Sequence, residues 1–338
     1  MMDPDSSGLP RPLYNALERE AQGLIARYDF SEQARASLLH QSENTMFLVR
    51  DPARPEPAVL RVHSQNLAYH TAPSIASELM WMQALRHDAD VIAPEPIPAK
   101  DGTLVQLLTA PDLDKPRHAV MFTFLTGSEP PPDTLVEGFE RLGEITARMH
   151  RHARAWTVPR IFSRHAWDFD ASLGAHPLWG RWQEGMGVDG DALKLLSRLA
   201  GVLKRRLDRI GTAREVFGLI HADMRLANIL VENDTSKVID FDDCGFSWYI
   251  YDLATALSFL EEEPIVPPLI ASWLKGYRKV MPLQREIVDE IPTFVMFRRM
   301  LELAWLGTRQ HLEFAQSLGA GFAAGTCRLA QDYLRRFG

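Results

Sequence analysis

The chain has 338 residues, 46% apolar and 24% charged, which suffices for a sizeable core and excludes a disordered protein. Its 37 basic and 44 acidic residues leave a formal charge of −7, so the basic footprint of a general nucleic-acid binder is missing. Two cysteines, Cys244 and Cys327, are too few for a disulfide framework, lack the paired spacing of a zinc site and suit a reducing compartment.

In chain order, Met1 to Pro12 is polar and proline-rich, without the basic-then-apolar pattern of a signal peptide. No later run has the apolar length of a membrane span, so a cytoplasmic protein with no membrane partner is expected. Leu13, Leu17, Leu24 and Ile25 share one helical face, predicting an amphipathic helix over Leu13–Tyr28. Ala36–Gln41 and Thr45–Arg50 read as strands around the turn Ser42-Glu43-Asn44, and Ala58–His63 as a third strand after the loop Pro52–Pro57. Ala72–Arg86 has proline near its start and Ile75, Leu79, Met82 and Leu85 at helical spacing. Strand-like pieces return at Thr103–Thr109 and Ala119–Leu125, and the second ends in Thr126-Gly127 and a run of prolines.

Past Pro132 the pattern turns helical, over Thr134–Trp156, Asp191–Ile210, Trp248–Glu262, Pro268–Val280, Pro292–His311 and Ala323–Arg336. Leu219-Ile220 and two short β-like runs, Ile229–Val231 and Lys237–Phe241 around the turn Asn233-Asp234, interrupt it. The expected fold is therefore α+β: a β-rich lobe with a leading helix over residues 1–125, and a larger, mainly helical lobe over 126–338. Lys204-Arg205-Arg206, Arg298-Arg299 and Glu261-Glu262-Glu263 all read as solvated helical faces or ends. Met296, Leu301, Leu303, Ala304 and Leu306 read as the floor of the larger lobe.

The chemistry concentrates in His221-Ala222-Asp223-Met224-Arg225-Leu226-Ala227-Asn228, followed twelve residues after Asn228 by Asp240 in Val238-Ile239-Asp240-Phe241-Asp242-Asp243. H-x-D-x-x-x-x-N, then an aspartate at the far end of a hairpin, is the arrangement of kinase catalytic loops. A loop holds one carboxylate beside the incoming hydroxyl, and the hairpin brings the Asn228 and Asp240 oxygens onto one Mg2+. On this reading Asp223 orients and deprotonates the acceptor while Arg225 stabilises the transferred group.

The stretch Gly218–Leu257 resembles the aminoglycoside phosphotransferase and choline kinase superfamily, near its homoserine kinase type II, hydroxylysine kinase and bacterial stress-response kinase branches. That resemblance implies a two-lobed protein-kinase-like fold and transfer of the ATP γ-phosphoryl group to a hydroxyl, with ATP and Mg2+ as cofactors. It implies that Arg61 stands where protein kinases carry lysine and pairs with Glu78. In place of a glycine-rich loop, the turn with Ser42 and Asn44 would cover the phosphates. Adenine would sit at the junction of the lobes, where Phe122 and Phe124 lie on the edge strand. His221 would organise the loop, and Asp252 would accept hydrogen bonds from its backbone.

Eleven residues separate Asp240 from Asp252 and no A-P-E segment follows, so small hydroxyl-bearing molecules lead as acceptors. Candidate acceptor contacts are Asp242, Asp243, Trp248 and Tyr249, with Trp167, Trp179 and Trp182 in the segment Phe162–Met186. Acidic groups there would suit an amine-bearing alcohol such as homoserine, hydroxylysine, choline or an aminoglycoside. A protein Ser/Thr kinase of the stress-response type and a nucleotide-sensing pseudokinase are the alternatives. The sequence sets no oligomeric state, and a homodimer is compatible with it.

Overall fold

The computed structural model describes residues 11–64, 69–109, 113 and 115–338, so the expectation for the opening stretch lies largely outside the described residues. The chain divides into two compact units. The smaller comprises the chain up to Arg86 with Ile92–Thr126 and Val158–Ser163, and the larger His87–Val91, Gly127–Thr157 and Arg164–Gly338.

In the smaller unit, helix α1 (Arg11–Leu24) continues into a 3-10 turn, Ile25–Arg27, so the α-helix ends earlier than its periodicity suggests. Strands β1 (Arg35–Gln41), β2 (Thr45–Arg50) and β3 (Ala58–Val62) form an antiparallel meander with residue pairs such as Phe47↔Leu60. Helix α2 (Ala72–Asp88) and strands β4 (Pro96–Ile97), β5 (Val105–Leu108) and β6 (Arg117–Thr123) follow. The sheet order is β1-β2-β3-β6-β4, with β5 also paired to β6. β5 starts later than expected because Thr103 is held in a turn, its N–H and hydroxyl both donating to Asp101 Oδ1. Tyr14, Leu17, Ala21 and Leu24 form the buried stripe of α1 and join Phe47, Leu60 and Met121 in one apolar cluster.

The larger unit runs α3 (Leu135–Ala155), α4 (Phe169–Ser172), α5 (Gly190–Ile210), β7 (Phe217–Ile220), β8 (Ile229–Glu232), β9 (Thr235–Val238) and β10 (Gly245–Trp248). Five helices complete it: α6 (Tyr251–Ala256), α7 (Val266–Arg278), α8 (Arg285–Val288), α9 (Ile291–Thr308) and α10 (Glu313–Phe337). The helix expected over Trp248–Glu262 is corrected. Trp248 ends strand β10 opposite Phe217, and α6 is short, followed by Phe259 at φ 67°. α10 starts ten residues before the expected Ala323 and is broken by Gly319, whose φ of 49° is non-helical.

α3 and α7 pack unusually closely because glycines meet backbone. A Cβ on Gly143 would collide with the Trp273 carbonyl, and one on Gly276 with that of Glu140. Met296, Leu301, Leu303, Ala304 and Leu306 are all buried on α9, as their spacing predicts. Among the described residues, no helix is long and apolar enough to cross a membrane.

Candidate active site

The loop between β7 and β8 carries the H-x-D-x-x-x-x-N residues. It is bent by Ala222 at φ 66°, a left-handed conformation that a non-glycine residue adopts only when its surroundings hold it there. Asp252, fully buried at the start of α6, is the holding group: it accepts from Ala222 N at 2.8 Å and from His221 N at 3.3 Å. Thr255, one turn on, accepts from Met224 N at 3.0 Å. Asp252 is oriented from behind by His150 of α3, whose Nε2 lies 2.9 Å from Oδ2 and whose Nδ1 lies 3.0 Å from the Tyr277 hydroxyl of α7.

The His221 ring is committed on both sides. Nδ1 accepts from Asp223 N at 3.3 Å and Nε2 donates to the Ile239 carbonyl at 3.1 Å, while the ring packs on Phe241. Burial pushes its imidazole below the ordinary histidine value, so it stays neutral. With no nitrogen left to exchange a proton, His221 links the loop to the segment that carries Asp240.

Asp223 is 8% exposed and faces three donors. Arg225 Nε lies 3.1 Å from Oδ1, Arg298 NH2 3.3 Å from the same oxygen, and Asn228 Nδ2 2.9 Å from Oδ2. Burial alone would raise this carboxyl, but the Arg225 and Arg298 guanidiniums outweigh it and hold Asp223 below its ordinary value, ionised. Asn228 also donates from Nδ2 to the Asp223 carbonyl at 2.8 Å, which spends its amide protons and leaves its side-chain oxygen as the group to coordinate with. Ile229 pairs with Val238 across the β8–β9 hairpin, and Ile239 N donates to Asn228 O at 3.0 Å, so Asp240 follows at the same end of the hairpin. Asp240 is exposed and itself left-handed, at φ 62°. An amide oxygen and a carboxylate make a hard, all-oxygen donor set that fits Mg2+.

In the smaller unit, Arg61 of β3 and Glu78 of α2 are both buried, with Arg61 NH2 2.7 Å from Glu78 Oε1 and 2.9 Å from Oε2. The Arg61 guanidinium also lies over the Phe122 ring at 5.0 Å. Phe122 is buried within β6 and Phe124 is half-buried just past its end. In the β1–β2 turn Ser42 is exposed, whereas Asn44 is buried with Oδ1 accepting from Ser64 N at 2.9 Å. Asn44 thus braces the turn against the end of β3 through its side-chain oxygen.

The acceptor-side candidates separate. Trp248 is core: its ring packs on Phe217, Phe294 and Phe297 and its indole N–H donates to Gly211 O at 2.7 Å. Tyr249 is buried against His150, and burial pushes its hydroxyl up to about 12. The end of β10 and the residue after it thus pack their aromatic rings into the unit. Asp242 is buried and Asp243 half-buried, and their carbonyls accept from Arg164 and from the Trp167 indole respectively. Of the three tryptophans, Trp179 comes beside one of the loop's partners, with the Arg298 guanidinium 5.1 Å from its ring.

Arg298 was legible only as half of a basic pair on a solvated face. Both members are buried, Arg298 at 5% and Arg299 at 2% exposed, and Glu261 joins them at 8%. His150 carries a weak signal of its own, a histidine on the apolar face of α3.

Sheet, helical unit and aspartate–asparagine loop define a kinase-like phosphotransferase. The phosphotransferase enzyme family matches residues 36–286, and the chain belongs to it. A solved microcompartment-associated aminopropanol kinase is 42% identical, covers 94% of this chain and 98% of its own, and superposes with a TM-score of 0.86. Amicoumacin kinase of Bacillus subtilis (strain 168) is 24% identical over 293 residues, 82% of this chain and 80% of its own. A solved amicoumacin kinase in complex with AMP-PNP, Ca2+ and Ami shares the fold at 20% identity, with a TM-score of 0.76 over 96% of this chain and 95% of its own.

Proposed function

We propose that this phosphotransferase moves the γ-phosphoryl group of ATP, with Mg2+, to the hydroxyl of a small amine-bearing alcohol of the aminopropanol class. The observation that carries the reading is Asp223, an ionised, nearly buried carboxylate locked between Arg225, Arg298 and Asn228. The bond from the γ-phosphorus to ADP breaks, a bond to the acceptor oxygen forms, and the acceptor proton passes to the Asp223 carboxylate. Asn228 and Asp240 would hold the Mg2+, which supplies charge neutralisation on the phosphates. Arg225, 38% exposed along its side chain, is free to exchange its Asp223 contact for the transferred group. Arg61, held by Glu78, is the expected cation for the nucleotide phosphates, with Ser42 and the β1–β2 turn backbone beside them and Phe122 and Phe124 toward the base.

A small acceptor is favoured because the short stretch after Asp240 is held along Asp242–Trp248. Arg164 and Trp167 pin the Asp242–Cys244 turn and β10 pairs with β7, which ties this stretch into the unit instead of presenting it to a peptide. The amine is favoured by the aminopropanol kinase, which resembles this chain over almost its whole length. ATP and a divalent cation are favoured by the AMP-PNP and Ca2+ of the amicoumacin kinase complex.

The test is phosphorylated-product formation from ATP and Mg2+ across aminopropanol, ethanolamine, homoserine, hydroxylysine, choline, aminoglycosides and a basic protein, with Asp223→Asn as control. Product on an amino alcohol that vanishes in Asp223→Asn is the expected result. Labelled protein with no small-molecule product would overturn the proposal.

A further inference from the structure

Both oxygens of the Asp223 carboxylate are fully engaged. Oδ1 accepts from Arg225 Nε at 3.1 Å and from Arg298 NH2 at 3.3 Å, and Oδ2 from Arg225 NH2 at 3.2 Å and Asn228 Nδ2 at 2.9 Å. A carboxylate offers about four lone-pair sites, so an acceptor hydroxyl can bond Asp223 only when one of these donors leaves. The three donor side chains differ in what else holds them. Arg225 is 38% exposed along its side chain, and among the described residues its guanidinium hydrogen bonds all end on Asp223. Asn228 is tied to the Asp223 carbonyl as well.

Arg298 is held from three sides. It is buried on α9, its Nε is shared between the Ser258 hydroxyl at 3.0 Å and Oε1 of the buried Glu302 at 3.2 Å, and its guanidinium lies over Trp179. Trp179 is itself buried and packs on Trp167, with ring centroids 5.0 Å apart. Asp223 and Glu302 face Arg225 and Arg298, two carboxylates against two guanidiniums, so the charge of Arg298 is matched on both sides. Ser258 stands one turn beyond Thr255, its N–H donating to the Thr255 carbonyl at 3.1 Å. The stretch that fixes the loop backbone through Asp252 and Thr255 therefore also orients, through Ser258 and Arg298, the loop carboxylate.

We propose that Arg298, braced by Glu302 and Ser258, is a positioning residue that keeps the Asp223 carboxylate aimed at the acceptor oxygen after Arg225 has left for the transferred group. This role rests on Asp223 being the catalytic carboxylate. An incoming phosphoryl group carries more negative charge than one carboxylate and draws the exposed guanidinium, whereas moving Arg298 would break a buried ion pair. The departure of Arg225 empties a site on each Asp223 oxygen for the acceptor hydroxyl. Arg298 on Oδ1 and Asn228 on Oδ2 keep the plane of the carboxylate fixed. The acceptor proton then passes to an emptied site as the acceptor oxygen bonds the γ-phosphorus and ADP leaves.

Steady-state kinetics with ATP, Mg2+ and aminopropanol test this role, with thermal unfolding of the full chain to establish that each variant folds. Arg298→Ala is expected to lower kcat about 30-fold while KM for ATP stays within about threefold, the loss of one charge-assisted hydrogen bond. Arg298→Lys, and guanidinium added at millimolar concentration to Arg298→Ala, each return part of that kcat because a cation is restored beside Asp223. Ser258→Ala keeps the arginine and removes one hydrogen bond that orients it, so kcat falls about fivefold; this variant decides where Arg298→Ala does not fold. Wild-type kcat in the deciding variant, while Asp223→Asn is inactive, would overturn the proposal. So would a loss in folded Arg298→Ala that neither lysine nor guanidinium restores, which marks a role in packing alone. A raised KM for ATP with kcat kept would place Arg298 on the nucleotide and overturn it too. Turnover retained in Asp223→Asn overturns the proposed function, and the role of Arg298 with it.

Discussion

Replacing Asp252 tests whether the loop geometry is imposed by one buried carboxylate. Its two oxygens serve three donors, Ala222 N, His221 N and His150 Nε2, and none of its surface is exposed. In Asp252→Asn one oxygen remains for Ala222 N, and His150 can change tautomer so that Nε2 accepts from the new amide while Nδ1 donates to Tyr277. His221 N cannot adapt, because it faces an amide that offers only N–H. One buried donor is orphaned and the charge assistance of the others is lost, together about 2–3 kcal/mol. Against a typical total of about 5–15 kcal/mol the variant still folds, but the left-handed Ala222 is no longer held. Hydrogen exchange read by mass spectrometry over the segment from Gly218 to Leu226 is the direct assay: about 2.5 kcal/mol of local destabilisation speeds exchange about 70-fold. Unchanged exchange there in a folded variant would refute the assignment of Asp252 as the loop's anchor.

Asp223→Asn is expected to abolish turnover while nucleotide affinity stays within about threefold, read by equilibrium binding beside the product assay. Glu78→Gln removes the carboxylate charge that faces the buried Arg61 guanidinium and lowers stability by about 3–5 kcal/mol, read from the midpoint of urea unfolding. Gly276→Ala forces a methyl group against the Glu140 carbonyl and separates α3 from α7, at a cost of about 1–3 kcal/mol or more in the same measurement. For pH, the depressed His221 value means that its contribution is present above the unfolded value of about 6.5 and lost as pH falls, by at most one proton or about 1.4 kcal/mol per pH unit. His221→Gln is therefore less dependent on pH below about 6.5 than wild type in thermal unfolding, and an unchanged slope would show that His221 is not buried neutral.

The sequence by itself determined the three-strand meander and the helix after it, most of the long helices of the larger unit, the loop with Asp223 and Asn228, and Asp240 across a hairpin. These are local: period-2 and period-3.6 patterns, turn residues, and a motif whose spacing a short hairpin closes. It also paired Arg61 with Glu78 through the family resemblance. Tertiary structure decided what those groups face. Arg298 and Arg299 read as solvated because a charged helical residue carries no sign of what packs against it, whereas Arg298 meets Asp223 and Ser258, and Arg299 meets Glu261 and the Phe322 carbonyl of α10. Trp248 read as an acceptor wall because its place near Asp240 was visible, whereas the partners that bury it, Phe217, Phe294 and Phe297, are far along the chain. His150 and Tyr277 acquire their purpose from the close packing of α3 on α7, which brings residues 127 positions apart within 3.0 Å. Charge and aromatic side chains are legible one at a time in a sequence; whether they meet water or each other is set by long-range packing, and here that packing decides which arginine holds Asp223.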